Sequence, residues 1–225
     1  MKGVLIYMAI ISSLLTLFGC NKVPSAQVGQ DSEAHHITAR LNHLLMPLDR
    51  GDRYEDPLNE ALSQRRLGEV TGGGTMQEKS GEIEFIDIEV DLTDLDVGVP
   101  FVIRKLEELG APKGSILRIH GAEPQKEIPF GKAEGIAVYL DGVSLPEEVY
   151  QKSDVNRVIE KFNSRLGSHG SMQSHWQGPR ETALYLYGDN AERMKTLIQD
   201  VLDSYPLCKG ARVVTIAPKF KTTMN

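Results

Sequence analysis

Apolar residues along the chain follow two periods, which predict helices and strands in alternation. A period of 3.6 residues is clearest where Val158, Phe162 and Leu166 fall on one face of a helix. Asp56-Pro57 and Pro100 are expected to open two further helices, because proline is favoured in the first helical turn. The predicted helices cover residues 56–66, 99–109, 153–166 and 190–204.

Strict alternation of apolar and polar residues predicts the strands. Ile86, Ile88 and Val90, for example, alternate with Asp87 and Glu89. The predicted strands cover residues 37–46, 69–77, 82–92, 114–120, 133–141, 170–177, 181–187 and 211–217. The first of these segments also fits a helix.

Short sequence matches indicate that the chain contains one unit twice. The matches pair 66–68 with 165–167, 74–77 with 170–173, and 113–117 with 209–213. Each copy has the element order βαββαβ, so we predict an α+β fold of two tandem ferredoxin-like repeats. We also expect Leu67 and Leu166 to occupy equivalent places at the ends of equivalent helices. The predicted domains are repeat 1 over 37–120, a linker over 121–132, repeat 2 over 133–217 and a tail over 218–225.

Strand parity predicts which residues lie on the sheet face that the helices leave open, since both helices of such a repeat cover one face. The expected open-face residues are Asp87, Glu89 and Asp91 in repeat 1 and Tyr139, Tyr185 and Tyr187 in repeat 2. Two interpretations are open. These faces bind a protein partner, with the tyrosines as interface anchors and the acids as a docking strip, or they pack on each other or on a second copy of the chain.

A second candidate site would need a cleft between the repeats. It would combine Glu69, His169, His175 and Trp176, because a neutral histidine beside a carboxylate can transfer protons. Nothing in the sequence brings these residues together. The sequence contains no established catalytic motif, and we predict no catalytic residues and no cofactor.

Two other groups of residues favour structural interpretations over ligand binding. The glycines at 72–74 lack the Lys-Ser/Thr of a phosphate-binding loop, so they predict a bulged strand or a hairpin entry. His35 and His36 are adjacent and lie near a flexible segment, which favours a solvated pair over a metal site. We therefore predict no bound metal.

The N-terminal segment resembles the signal of a bacterial lipoprotein. Lys2 precedes an apolar stretch over 4–18, which is too short for a comfortable membrane span, and Leu17-Phe18-Gly19-Cys20 resembles a lipobox. The resemblance implies a signal peptide over 1–19, acyl chains such as palmitate on Cys20, and a flexible tether over 20–36. Asn21 after the cysteine favours the outer over the inner membrane, with the domain facing the periplasm.

The net charge limits the class of binding partner, and the cysteine content limits the possible disulfide bonds. The net charge of −6 disfavours nucleic acid and is compatible with a basic protein partner. If Cys20 carries lipid, Cys208 has no disulfide partner within the chain and is expected to be a buried apolar residue.

Three stretches resemble a bacterial family of uncharacterised, immunity-like proteins. They are LGEVTGGGT at 67–75, LDGVSLPEEVY at 140–150 and TALYLYG at 182–188. The resemblance covers roughly residues 37–217 and implies no catalytic residue. Our leading hypothesis is a lipid-anchored envelope protein that binds another protein, as an immunity-type inhibitor of an envelope-delivered toxin. The alternatives are an enzyme or small-molecule binder using a cleft between the repeats, and a structural envelope lipoprotein; a homo-oligomer is compatible with each.

Overall fold

The computed structural model describes residues 34–218. Within that range the elements of the first repeat are β1 His35–Leu41, α1 Pro47–Arg50, α2 Asp56–Arg65, β2 Gly68–Gln77, β3 Ile83–Leu92, α3 Leu95–Glu108, β4 Ser115–Ile119 and β5 Lys126–Phe130. A π-helical turn, Gly51–Glu55, joins α1 to α2. The elements of the second repeat are β6 Glu134–Asp141, α4 Glu147–Lys152, α5 Val155–Leu166, β7 Gly170–Gln177, β8 Glu181–Gly188, α6 Ala191–Ser204 and β9 Arg212–Ala217.

The strand order confirms the tandem ferredoxin-like fold. The first sheet has the order β2-β3-β1-β4-β5 and the second has the order β7-β8-β6-β9, with every named strand pair antiparallel. The first four strands of each repeat therefore take the same places in their sheets. The fold class is α+β, as the element order predicts.

The predicted linker contains an additional strand. Residues 126–130 form β5, which pairs with β4 at the edge of the first sheet and places Pro129 opposite Ile116. Proline punctuation indicates a linker in the sequence, but an edge strand tolerates proline because the missing N–H need not bond a neighbour. The first predicted strand is also shorter than expected, since β1 ends at Leu41.

Helix α3 begins five residues before the proline that was expected to open it. Asp94 caps the helix, and its carboxylate accepts a hydrogen bond from the N–H of Val97 at 3.1 Å. Pro100 lies inside the helix, where it cannot donate a backbone hydrogen bond. The cap, rather than the proline, therefore determines the start of α3.

The repeat is real, although one sequence match does not correspond in space. Gly114 and Gly210 precede the last strand of their repeats with positive φ angles of 88° and 76°, so that match is structural. Residues 74–77 end strand β2, whereas residues 170–173 begin strand β7. The similarity of these two tetrapeptides is therefore a coincidence of sequence.

Leu67 and Leu166 do not occupy equivalent places, so the expectation that they would is wrong. Helix α2 ends at Arg65, and Arg66 adopts a left-handed conformation before the partly buried Leu67. Helix α5 continues through Leu166, which is completely buried, and Gly167 caps it at φ 53°. Relative to the matched tripeptides, the helix therefore ends two positions earlier in repeat 1 than in repeat 2.

The buried side chains form two clusters, and one of them crosses between the repeats. The second cluster lies between the second sheet and helices α5 and α6. The first cluster contains the core of repeat 1 and also takes in Ala137, Ala183, Tyr185, Tyr187 and Ile216 of repeat 2. Repeat 2 therefore packs its own helix-free sheet face against repeat 1. Within the described residues, no helix has the length and apolar character needed to cross a membrane.

Candidate functional site

The tyrosines predicted to form an exposed binding face are buried between the repeats. Tyr185 and Tyr187 have exposed fractions of 0% and 1%, and Tyr139 is partly buried. Strand parity places them correctly on the face opposite the helices, but that face packs on repeat 1. Of the two interpretations of this face, exposure to a partner is wrong and packing within the chain is what the structure has, so these side chains offer no docking surface.

Glu82 of repeat 1 joins two of these tyrosines. The hydroxyls of Tyr139 and Tyr185 each donate a hydrogen bond of 2.7 Å to the same carboxylate oxygen of Glu82. Burial and the neighbouring carboxylate raise the pKa of both tyrosines, so both hydroxyls stay protonated and able to donate. Tyr187 instead accepts a hydrogen bond of 3.0 Å from the N–H of Leu44.

A buried polar cluster surrounds His43 at the same junction. His43 has no exposed surface; its Nδ1 lies 2.8 Å from the hydroxyl of Tyr54, and its ring centroid lies 4.1 Å from that of Tyr187. Its Nε2, the Nε of Arg53 and the Oε1 of Gln173 are buried without a hydrogen bond among the described residues. Burial lowers the pKa of His43 well below 6.5, and the positive charge of Arg53 adds to this effect.

We expect acid to weaken the domain through His43. Below pH 6.5 the histidine of the unfolded chain binds a proton that native His43 does not, so stability is complete above this pH and falls as the pH falls. The loss is about 1.4 kcal/mol for each pH unit in that window. Urea unfolding of the wild type and of His43→Gln at pH 7.5 and 5.5 measures it.

The exposed histidine variant His35→Gln is the matched control and should keep the pH dependence of the wild type. His43→Gln should lose about 1.4 kcal/mol of that dependence. Equal pH dependence in His43→Gln and the wild type would show that His43 does not carry this effect.

The four residues of the predicted cleft lie in separate places. Glu69 is exposed on the edge strand β2, and His169 precedes β7 with its Nδ1 2.8 Å from Asp189. His175 and Trp176 are neighbours in β7 and therefore point to opposite faces of the sheet. His175 lines a pocket of about 310 Å³ within repeat 2, whereas Trp176 packs against the first core cluster. The hypothesis of a shared cleft is wrong.

The acidic residues of β3 do lie on the open face of the first sheet, where β1 partly neutralises them. Asp87 accepts two hydrogen bonds of 2.8 Å from the guanidinium of Arg40, and these raise the pKa of Arg40. His36 lies 2.8 Å from Asp91 and 3.1 Å from Glu89. The side chains of these residues keep between 20% and 46% of their surface exposed. The alternation of His36, Thr38 and Arg40 in the sequence is the signal that could have revealed these partners.

A larger depression does lie between the repeats, and of the four residues predicted for a cleft only Trp176 lines it. We call it the inter-repeat groove; its volume is about 780 Å³. Its lining comes from the β2–β3 turn, the end of β6 and the segment after it, the end of β7 with the β7–β8 turn, and the start of β9. The lining residues are Lys79, Ser80, Tyr139, Asp141, Val143, Ser144, Trp176, Pro179, Arg180, Glu181, Gly210 and Arg212.

The remaining features are Cys208, the side chains that could hold a metal, and the N-terminal and C-terminal segments. Cys208 is buried and unpaired as expected, and burial raises the pKa of its thiol to about 11. Residues 34–218 contain no group of three or more side chains arranged to hold a metal ion. Cys20 and the signal peptide lie outside the described residues, as do most of the tether and of the tail.

Comparison with known proteins finds only distant structural similarity to the following solved structures. The sequence matches no protein-family model and no curated protein. An unknown protein from Galdieria sulphuraria is 10% identical, with a TM-score of 0.26, over 81% of this chain and 96% of the other. The regulatory subunits of aspartate kinase from Thermus thermophilus and Thermus flavus are 12% and 15% identical, with TM-scores of 0.24 and 0.25. They align over 74% and 75% of this chain and 92% and 93% of their own.

Proposed function

We propose that the protein is a lipid-anchored envelope protein that binds another protein, as an immunity-type inhibitor of a toxin delivered to the envelope. Lipid on Cys20 would hold the domain at the outer membrane, facing the periplasm. The resemblance of residues 17–20 to a lipobox and the resemblance over residues 37–217 to an immunity-like family support this proposal. The partner, rather than a chemical reaction, would then define the function.

The observation that carries the proposal is the open face of the first sheet. We call the side chains of His36, Arg40, Asp87, Glu89 and Asp91 the charged face. These side chains stay partly exposed, whereas the corresponding face of the second sheet is buried against repeat 1. The charged face is therefore the sheet surface left for a partner.

The arrangement of charges favours a basic partner. Glu89 and Asp91 are the most exposed acids of the charged face, with 46% and 35% of their side-chain surface in contact with solvent. Among the described residues, both pair with the same imidazole, that of His36. Asp87 is already held by the guanidinium of Arg40 at both oxygens. Lysine or arginine side chains of a partner could therefore reach Glu89 and Asp91 most readily, and the net charge of −6 would speed encounter with a basic protein.

The test is capture of a partner from cell envelopes by the immobilised domain over residues 21–225. Glu89→Ala/Asp91→Ala should reduce capture severalfold at low salt, because each exposed ion pair contributes about 0.2–1 kcal/mol. The difference from the wild type should shrink as salt rises, since screening weakens exposed charges. Quantitative mass spectrometry of the captured proteins at two salt concentrations measures both effects.

Two control variants make the result specific. Glu147→Ala/Glu148→Ala removes the same charge from exposed positions on α4 and should leave capture unchanged. His169→Ala/His175→Ala should also have little effect, since neither histidine belongs to the charged face. Equal losses from the charged-face variant and the α4 variant, or no loss from either, would reject the charged face as the binding surface.

A further inference from the structure

The inter-repeat groove is formed by equivalent hairpins of the two repeats. The β2–β3 turn is closed by a hydrogen bond of 2.8 Å from the N–H of Glu78 to the carbonyl of Glu82. The β7–β8 turn is closed by the corresponding bond of 2.9 Å from Gly178 to Glu181. Each turn presents one cationic side chain, Lys79 in the first and Arg180 in the second. The fold thus brings two positive charges from separate repeats to one depression.

Two aromatic side chains form part of the groove lining. The ring of Tyr139 is held by the hydrogen bond to Glu82, and the guanidinium of Arg212 lies 3.9 Å from its centroid. The indole of Trp176 lies directly over Gly178, where the atoms of any added Cβ would overlap the ring. Within residues 34–218 the indole N–H makes no hydrogen bond. These contacts hold flat apolar surface at the groove.

Neither cation of the two hairpins forms an ion pair within residues 34–218, although the charge of Arg180 acts on Asp141 of the groove. Glu181 pairs with Arg212 at 3.2 Å, and Asp141 accepts hydrogen bonds of 2.8 Å from the N–H groups of Val143 and Ser144. Lys79 and Arg180 make no salt bridge and no side-chain hydrogen bond in the described part of the chain. A ligand that brings negative charge would therefore meet two cations that have no ion-pair partner among the described residues.

We propose that the inter-repeat groove binds a small organic anion that carries a planar ring. The ring would stack on Trp176, and the carboxylate or phosphate of the ligand would accept hydrogen bonds from Lys79 and Arg180. The volume of about 780 Å³ is that of a small-molecule site and is too large for an inorganic anion alone. This binding is separate from the charged face and does not depend on the proposed function.

The experiment uses the fluorescence of Trp176, which is the only tryptophan in the chain and lines the groove. The probe is 4-nitrobenzoate, an aromatic carboxylate whose nitro group quenches indole emission on contact. Its neutral analogue 4-nitrobenzamide has the same ring without the charge, and acetate has the charge without the ring. We expect saturable quenching by 4-nitrobenzoate only. 4-Nitrobenzamide should quench by collision alone. Neither acetate nor the amide, each in excess, should displace 4-nitrobenzoate.

The variants test the two cations directly. Lys79→Ala/Arg180→Ala should raise the apparent Kd for 4-nitrobenzoate about tenfold or more, because truncation removes the charged hydrogen bonds from both side chains to the carboxylate. Both side chains are exposed, so the variant should fold, and its circular dichroism should match that of the wild type. Lys152→Ala/Arg157→Ala removes two exposed cations elsewhere and should keep the wild-type Kd. Equal quenching by the charged and neutral probes, or a Kd unchanged by the hairpin variant, would overturn the proposal.

Discussion

Replacing Tyr185 with alanine should lower the free energy of unfolding by about 3–5 kcal/mol, the usual cost of truncating a large buried aromatic side chain. The ring has no exposed surface and belongs to the cluster that joins the repeats, and the hydroxyl donates a hydrogen bond to Glu82. The variant would lose packing area and leave a cavity at the junction. Urea unfolding followed by circular dichroism measures the change.

Tyr185→Phe is the matched control, because it keeps the ring and removes only the hydroxyl. Its expected cost is about 1 kcal/mol, the net value of a typical hydrogen bond. A wild-type unfolding free energy in Tyr185→Ala would mean that the junction does not stabilise the domain. If the expected result holds, loss of partner capture by Tyr185→Ala would report damage to the fold and not the loss of a docking residue.

Leu166→Ala should destabilise the domain much more than Leu67→Ala, although the two leucines occupy the same tripeptide motif. Leu166 is completely buried at the end of α5 and closes the second core cluster, so its truncation should cost about 2–5 kcal/mol. Leu67 follows the end of α2 and is only partly buried. Its truncation should cost less, because part of the side chain remains in water in the folded protein.

The two leucine variants would be compared in one series of urea unfolding curves with a common slope. A larger loss for Leu166→Ala supports the two-residue offset between the helix ends. Equal losses would contradict it and would favour the equivalence that the sequence match indicates. Since both substitutions remove the same atoms, the comparison is independent of the chemistry of the side chain.

The sequence was informative wherever a local rule connects residues to structure. Alternation of Ile86, Ile88 and Val90 with acids predicted both β3 and the face on which each side chain lies. The same rule could have separated His175 from Trp176, because neighbours in a strand point to opposite faces. Pro100 predicts too late a start for α3, because the capping hydrogen bond to Asp94 begins the helix five residues earlier.

The candidate sites depended on contacts between residues far apart in the chain. Asp87 was correctly placed on an open face, but its neutralisation by Arg40 depends on the register of β1 against β3. Lys79 and Arg180 lie in turns about a hundred residues apart and meet only because the repeats dock. No periodic pattern within one segment carries that information.

The sequence by itself determined the two βαββαβ units, the side of each strand and the burial of Cys208, since hydrophobic periodicity and element order are local properties of the chain. Only the tertiary structure decided that the tyrosine face of repeat 2 is buried while the charged face of repeat 1 stays open. Both faces are left bare by their own helices. The physical reason for the difference is that Tyr185 and Tyr187 gain by leaving water against repeat 1, whereas burying the charges of Glu89 and Asp91 would cost solvation energy.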